Sequence, residues 1–211
     1  NAAADAYLTH SRGFELERIR GLYTQESYYD QKADRGRGAG TATVRFAVAD
    51  TWWERLIDRP ARFGKKKANF KYGGTYGGHW WALPDLSFAA PRPDQAAAPT
   101  PPTELWLVEG IFDAIAGGLK NSIALMGANL PDERLGELKE PVFVLDNDRT
   151  GLVNSLNYAK RGYNVYVQPD KYPEKDMNDL KLHNPDLNQS ELITSNIFRG
   201  ISAEVRIKGK M

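Results

Sequence analysis

Four short apolar runs, at 105–108, 123–126, 142–145 and 163–167, alternate with stretches of helical spacing at 111–119, 132–138 and 152–161. Short continuous apolar strands separated by helices call for burial on both faces, which a mainly parallel sheet flanked by helices provides. The fold class expected here is therefore α/β. In sheets of this kind ligands gather beyond the carboxyl ends of the strands. Chemistry is expected in the segments that directly follow the apolar runs.

The first half of the chain is less regular. Residues 14–23 have helical spacing, 41–49 alternate as a strand does, and 79–83 read as a short strand after a glycine-rich loop. Segment 89–104 holds five prolines, which remove backbone donors and favour extended chain. The expected organisation is a basic, mixed α+β lobe over 1–103 ending in a Pro-rich linker at 89–103, an α/β domain over 104–182, and a C-terminal extension over 183–211.

Charge follows the same division. Residues 1–103 carry 15 Lys and Arg against 11 Asp and Glu, whereas 104–211 carry 13 against 16, so the net charge of +1 conceals a basic half and an acidic half. That suits a site in which cations hold phosphate and carboxylates hold metal. With no cysteine and three histidines in the chain, disulfides and Cys-ligated zinc are excluded, and oxygen ligands are expected. No apolar run reaches the length of a membrane span, and the start, Asn1-Ala2-Ala3-Ala4-Asp5, lacks an initiator Met and a secretory profile. The chain reads as a cytoplasmic protein, or a fragment excised from one, with no membrane partner.

Three acidic groups stand where the parallel-sheet rule points. Glu109-Gly110 follows the first run, with Asp113 in the first turn of the next helix, where it suits the helix dipole. Asp146-Asn147-Asp148 follows the third run, and two carboxylates at i and i+2 on extended chain face one side, as a hard cation requires. Asp148 is equally suited to cap the helix that follows. Lys175-Asp176-Met177-Asn178-Asp179-Leu180 follows the fourth run, and Asp176 has the same capping alternative. Acids past three parallel strands converge on one rim, where their mutual repulsion favours a bound divalent cation.

In their order, Leu-Trp-Leu-Val-Glu-Gly-Ile-Phe-Asp-Ala, Val-Leu-Asp-Asn-Asp-Arg-Thr-Gly and Lys-Asp-Met-Asn-Asp-Leu resemble the TOPRIM module shared by bacterial DnaG-type primases, topoisomerases and some nucleases. The resemblance covers about residues 105–180. It implies that Glu109, Asp146 and Asp148 bind magnesium or manganese or act beside it, and that Asp176 and Asn178 supply further ligands. Many primases carry aspartate where Asn178 stands, and Asp179 is a possible substitute for it.

The choice among these activities rests on the first half. Arg59, Arg62, Lys65, Lys66, Lys67 and Lys71 occur without an intervening acid, ahead of Tyr72-Gly73-Gly74-Thr75-Tyr76-Gly77-Gly78. Glycines let backbone amides approach phosphate and tyrosines stack on bases, although a solvated loop has the same composition. Residues 70–83 resemble the Lys-Tyr-containing nucleotide-binding stretch ahead of TOPRIM in primases, which makes Lys71 the matched phosphate-binding lysine. Arg45, Lys66 and Lys67 join it as candidates for gripping template or triphosphate. Trp52, Trp53, Trp80 and Trp81 read as packing residues.

The resemblance implies a DNA primase core: magnesium-dependent nucleotidyl transfer that makes short RNA primers from nucleoside triphosphates on a single-stranded DNA template, with a replicative helicase as a further partner. A TOPRIM nuclease shares the acids without needing the basic lobe, and a non-catalytic nucleic-acid-binding module would bind independently of metal. Full primases also carry a zinc-binding domain, which a chain without cysteine does not supply.

Overall fold

The computed structural model describes residues 2–28, 41–48, 51–57, 69–71, 80–82, 104–118, 121–127 and 130–211. The chain divides into two units, Asn1–His79 and Trp80–Met211.

In the first unit a helix, α1 (Ala2–Ala6), runs into a π-helical turn, Tyr7–Ser11, and a short helix, α2 (Leu16–Ile19), follows. An antiparallel sheet of order β1-β2-β3-β4 comes next, made of β1 (Tyr23–Tyr28), β2 (Thr41–Val48), β3 (Thr51–Leu56) and β4 (Asn69–Lys71). The helix expected over 14–23 shrinks to one turn. Arg20 is extended at ψ 130° and Gly21 sits at φ +86°, so the chain leaves the helix and enters β1. Alternation along β2 buries Val44, Phe46 and Val48, with Phe46 packed between the rings of Tyr23 and Trp53.

The second unit is a five-stranded sheet of order β6-β5-β7-β8-β9. Its strands are β5 (Leu105–Val108), β6 (Ser122–Ala124), β7 (Pro141–Val144), β8 (Asn164–Tyr166) and β9 (Ile197–Arg199). The four runs read from the sequence become β5 to β8, all mutually parallel, while β9 joins the edge antiparallel to β8. Every residue of β5 and β7 is buried, as expected of strands covered on both faces. The connecting helices are α3 (Ile111–Gly118), α4 (Asp132–Leu135) and α5 (Arg149–Lys160). Past β8 come α6 (Met177–His183), α7 (Gln189–Thr194) and α8 (Gly200–Lys210). Met126 at φ +60° and Gly127 at φ +158° turn the chain out of β6 soon after Ala124.

Leu105, Leu107, Phe143 and Val165 form a core with Tyr158 and Ala159 of α5 and Ala203 and Ile207 of α8. Segment 183–211 is thus woven into this unit through β9 and α8. Trp81 also belongs to it, bridging Ala124 beside β6. Segment 89–103 lies outside the described residues. Among the described residues no helix is long and apolar enough to cross a membrane.

Phe143 is fully buried, with its ring stacked 3.6 Å from that of Tyr158 and edge-on to Tyr163 at 5.4 Å. Phe143→Ala is expected to cost roughly 3–5 kcal/mol in urea unfolding, since the cavity lies in the sheet centre and collapses poorly.

Candidate active site at the rim of the parallel sheet

The strand order creates a single crevice at the centre of the sheet. From β5 the chain crosses to β6 on one side, and from β7 it crosses to β8 on the other, so the segments leaving these adjacent strands diverge. A doubly wound sheet opens at such a switch point beyond the strand ends. Glu109 leaves β5 there and Asp146 leaves β7. The two touch: the Asp146 amide donates to Glu109 Oε1 at 3.3 Å.

The rest of the second motif is built by the start of α5. Asp148 is extended and caps the helix, its Oδ1 accepting from the amides of Thr150 and Gly151, both at 3.0 Å. Its other oxygen, Oδ2, lies 3.3 Å from the Lys175 ammonium, which also contacts Asp146 Oδ2 at 2.7 Å. Asp148 therefore caps the helix with one oxygen and faces the pair's shared cation with the other. Gly151 is required here. A Cβ on it would lie 2.0 Å from the Asp146 carbonyl oxygen, so only glycine lets the helix approach the strand end this closely.

The third motif is fastened to the second through Asn147. Its backbone amide donates to the Lys175 carbonyl at 2.6 Å and its side-chain amide to the Glu174 carbonyl at 3.3 Å. By sequence Asn147 is only the spacer between two aspartates, and nothing local to it signals this bond. Asp176 caps α6, accepting from the Asp179 amide at 2.8 Å. Asn178 is buried beside α3, its amide donating to Asp113 Oδ1 at 3.2 Å. Asp113 lies in the first turn of α3, as the dipole reading expects, and also ties α3 to α6.

The electrostatics of these acids reflect their crowding and the burial of Glu109, Asp113 and Asp146. Burial, then the charge of Asp146, pushes Glu109 up to about 7. Asp113 is raised well above the usual carboxylate range by burial and by the charges of Asp176 and Asp146. Asp146 is raised by burial even though Lys175 pulls the other way. Burial also opposes ionisation of Asp148, but the amides of Gly151 and Thr150 and the Lys175 ammonium outweigh it and hold this carboxyl low. Among the described residues, no three His, Cys, Asp or Glu side chains stand grouped as ligands of one ion. Lys175 occupies the position between Asp146 and Asp148, and Asp148 and Asp176 each spend an oxygen on a cap. The oxygens of Glu109, Asp146 and Asp148 are of the kind that hard divalent cations prefer, and the ammonium of Lys175 now offsets part of their charge.

Glu109 makes the stability of the metal-free protein depend on pH. Its carboxyl binds a proton more tightly folded than unfolded, where it titrates near 4.5. Its contribution is therefore most favourable below that pH and is lost as pH rises toward about 7. Glu109→Gln is expected to raise the metal-free melting temperature at pH 8 and to flatten its decline between pH 5 and 7, as read by thermal melts in chelator. An unaltered pH profile would contradict the assigned surroundings of Glu109.

The basic candidates all belong to the first unit of the chain. Lys66 and Lys67 lie outside the described residues. Lys71 ends β4, paired in register with Trp53. Arg45, on β2, is already engaged: its guanidinium lies 3.4 Å from the buried Glu54 and 4.0 Å from Glu26, and it stacks over Trp52 at 4.6 Å. Glu54 further accepts from the Thr43 hydroxyl. Trp53 and Trp81 are buried, in keeping with packing roles, and Trp80 carries the Arg134 guanidinium over its ring at 4.0 Å.

Comparison with solved structures shows where this architecture recurs. The Aquifex aeolicus primase, in a crystal structure of its zinc-binding and RNA polymerase domains, matches 94% of this chain with TM-score 0.59 and 15% identity. This is the primase fold. A chain from the structure of bacteriophage T7 lagging-strand DNA polymerase interacting with primase domains of two gp4 subunits matches 90% of this chain at TM-score 0.51 and 16% identity. The match spans 57% of the Aquifex chain and 90% of the T7 chain. No family model and no curated protein matches the sequence. At such identities the likeness is one of fold.

Proposed function

We propose that this chain is the catalytic core of a DNA primase, a TOPRIM enzyme that makes short RNA primers by divalent-metal-dependent nucleotidyl transfer. The observation that carries the reading is the meeting of Glu109 with Asp146 at the switch point, with Asp148 and the third motif fastened beside them. The primase fold supports it. So does the T7 structure, in which the primase domains are bound to an RNA/DNA hybrid and dTTP.

In this reading magnesium or manganese would be held by Asp146 and Asp148, with Glu109, Asp176 and Asn178 near it. When bound, such an ion polarises phosphate and lowers the pKa of the attacking hydroxyl. Asp148 is pre-oriented for this by its cap bonds, which fix the direction of its other oxygen, Oδ2, without rotamer searching. Glu109, which meets Asp146 at the strand ends, would act beside the ion as a ligand or as a proton acceptor. Lys66, Lys67, Lys71 and Arg45 are proposed to hold template or triphosphate. For Arg45 this requires release from Glu54 or use of its exposed edge. A replicative helicase completes the proposed partners.

The test incubates the purified chain with a single-stranded DNA template and four ribonucleoside triphosphates across a magnesium and manganese titration, beside labelled DNA and RNA alone. Template-dependent oligoribonucleotides that vanish in chelator are expected. Cleavage of the labelled strands without synthesis would replace the reading with a nuclease, and metal-independent binding without turnover would replace it with a binding module.

A further inference from the structure

Lys175 stands where a cation belongs. Its ammonium touches the outward oxygens of both members of the pair, Asp146 Oδ2 at 2.7 Å and Asp148 Oδ2 at 3.3 Å. The position is built into the fold. The Lys175 carbonyl accepts from the Asn147 amide, and the preceding carbonyl, of Glu174, accepts from Asn147 Nδ2 and from Gln168 Nε2 at 2.7 Å. The backbone is thus fastened to the loop that carries the two aspartates, while the side chain is 47% exposed and has a route to solvent.

Two cations cannot share this place. A magnesium-sized ion binds carboxylate oxygen at about 2.0–2.1 Å, inside the volume that the ammonium now fills. A lysine suits such a role, being a compact charge on a flexible stem that can swing away, where an arginine fork would lock onto the carboxylates. We infer that Lys175 is a resident counter-cation of the Asp146–Asp148 pair, which neutralises the pair in the metal-free protein and is exchanged for the divalent ion when one binds. The inference rests on the proposed metal-dependent reading of this rim. It gives Lys175 the role of a positioning residue that sets metal affinity and metal-free stability.

The experiment measures Mn2+ binding by electron paramagnetic resonance of the free ion, with thermal melts in chelator and in saturating Mn2+. It uses the wild type, Lys175→Met, Lys175→Gln and Asp146→Asn. Both lysine variants are expected to bind Mn2+ at least about tenfold tighter than wild type, because the ion no longer has to displace a cation. Their metal-free melting temperature is expected to fall, and Mn2+ to raise it by more than it raises that of the wild type. The glutamine variant keeps a polar head should the methionine variant fail to fold. Wild-type binding with unchanged or weaker affinity in the lysine variants overturns the exchange and leaves the metal site standing. Absence of binding in the wild type and both lysine variants, or undiminished binding in Asp146→Asn, overturns the site itself and the exchange with it.

Discussion

Asp146→Ala is expected to lower primer synthesis by at least about a thousandfold, because it removes an anionic oxygen proposed to hold the metal at the reacting phosphate. The fold should survive. Burial raises the Asp146 carboxyl despite the nearby ammonium, so its charge is a net burden on the metal-free structure. The contact with Glu109 uses the backbone amide of residue 146, which alanine retains. The variant should therefore melt within a few degrees of wild type while losing product, as read by gel analysis of oligoribonucleotides. Normal primer yield from Asp146→Ala would remove the residue from the chemistry.

Gly151→Ala is expected to act on the same residue from the other side. A methyl there meets the backbone oxygen, carbon and nitrogen of Asp146 at 2.0, 2.8 and 2.9 Å, and backbone has no rotamer through which to yield. Either α5 retreats from the end of β7 or the Asp146 loop is pushed off its place. The cost is on the order of 3 kcal/mol or more, at the upper end for overpacking, and lowers the melting temperature by roughly 6–12 °C. Synthesis should fall with it even at temperatures where the variant stays folded, since Asp148 caps the helix that moves. A variant that melts and polymerises like wild type would show that the close approach of helix and strand is not needed.

The second unit was legible in the sequence because doubly buried strands leave an unbroken apolar signature, and 105–108 and 142–145 have little else to become. The acids were legible because a parallel sheet delivers strand ends to one rim whatever the intervening helices do. What escaped was set by distant partners. Strand β1, Tyr-Thr-Gln-Glu-Ser-Tyr, is largely polar and is a strand because β2 pairs with it across six registered positions. β9 is three residues long and gains its place from β8. The tie from Asp113 to α6 and the roles of Asn147 and Lys175 come from bonds to segments 27 or more residues away, which no local spacing encodes. The pairing of Arg45 with Glu54 joins two neighbouring strands, and spacing along either strand alone does not announce it. The N-cap readings of Asp148 and Asp176 came from local spacing alone, and both caps are present in the structure.

Carboxylates from three separate stretches are proposed to share one divalent ion. Iron-directed cleavage addresses that most directly: Fe2+ bound in place of magnesium generates hydroxyl radicals with ascorbate and peroxide, and these cut the backbone beside the ion. Cuts are expected next to Glu109, across Asp146–Asp148 and near Asp176, all three fading together as excess magnesium is added. Cuts confined to one of these stretches, or a pattern that magnesium leaves unchanged, would contradict the shared site.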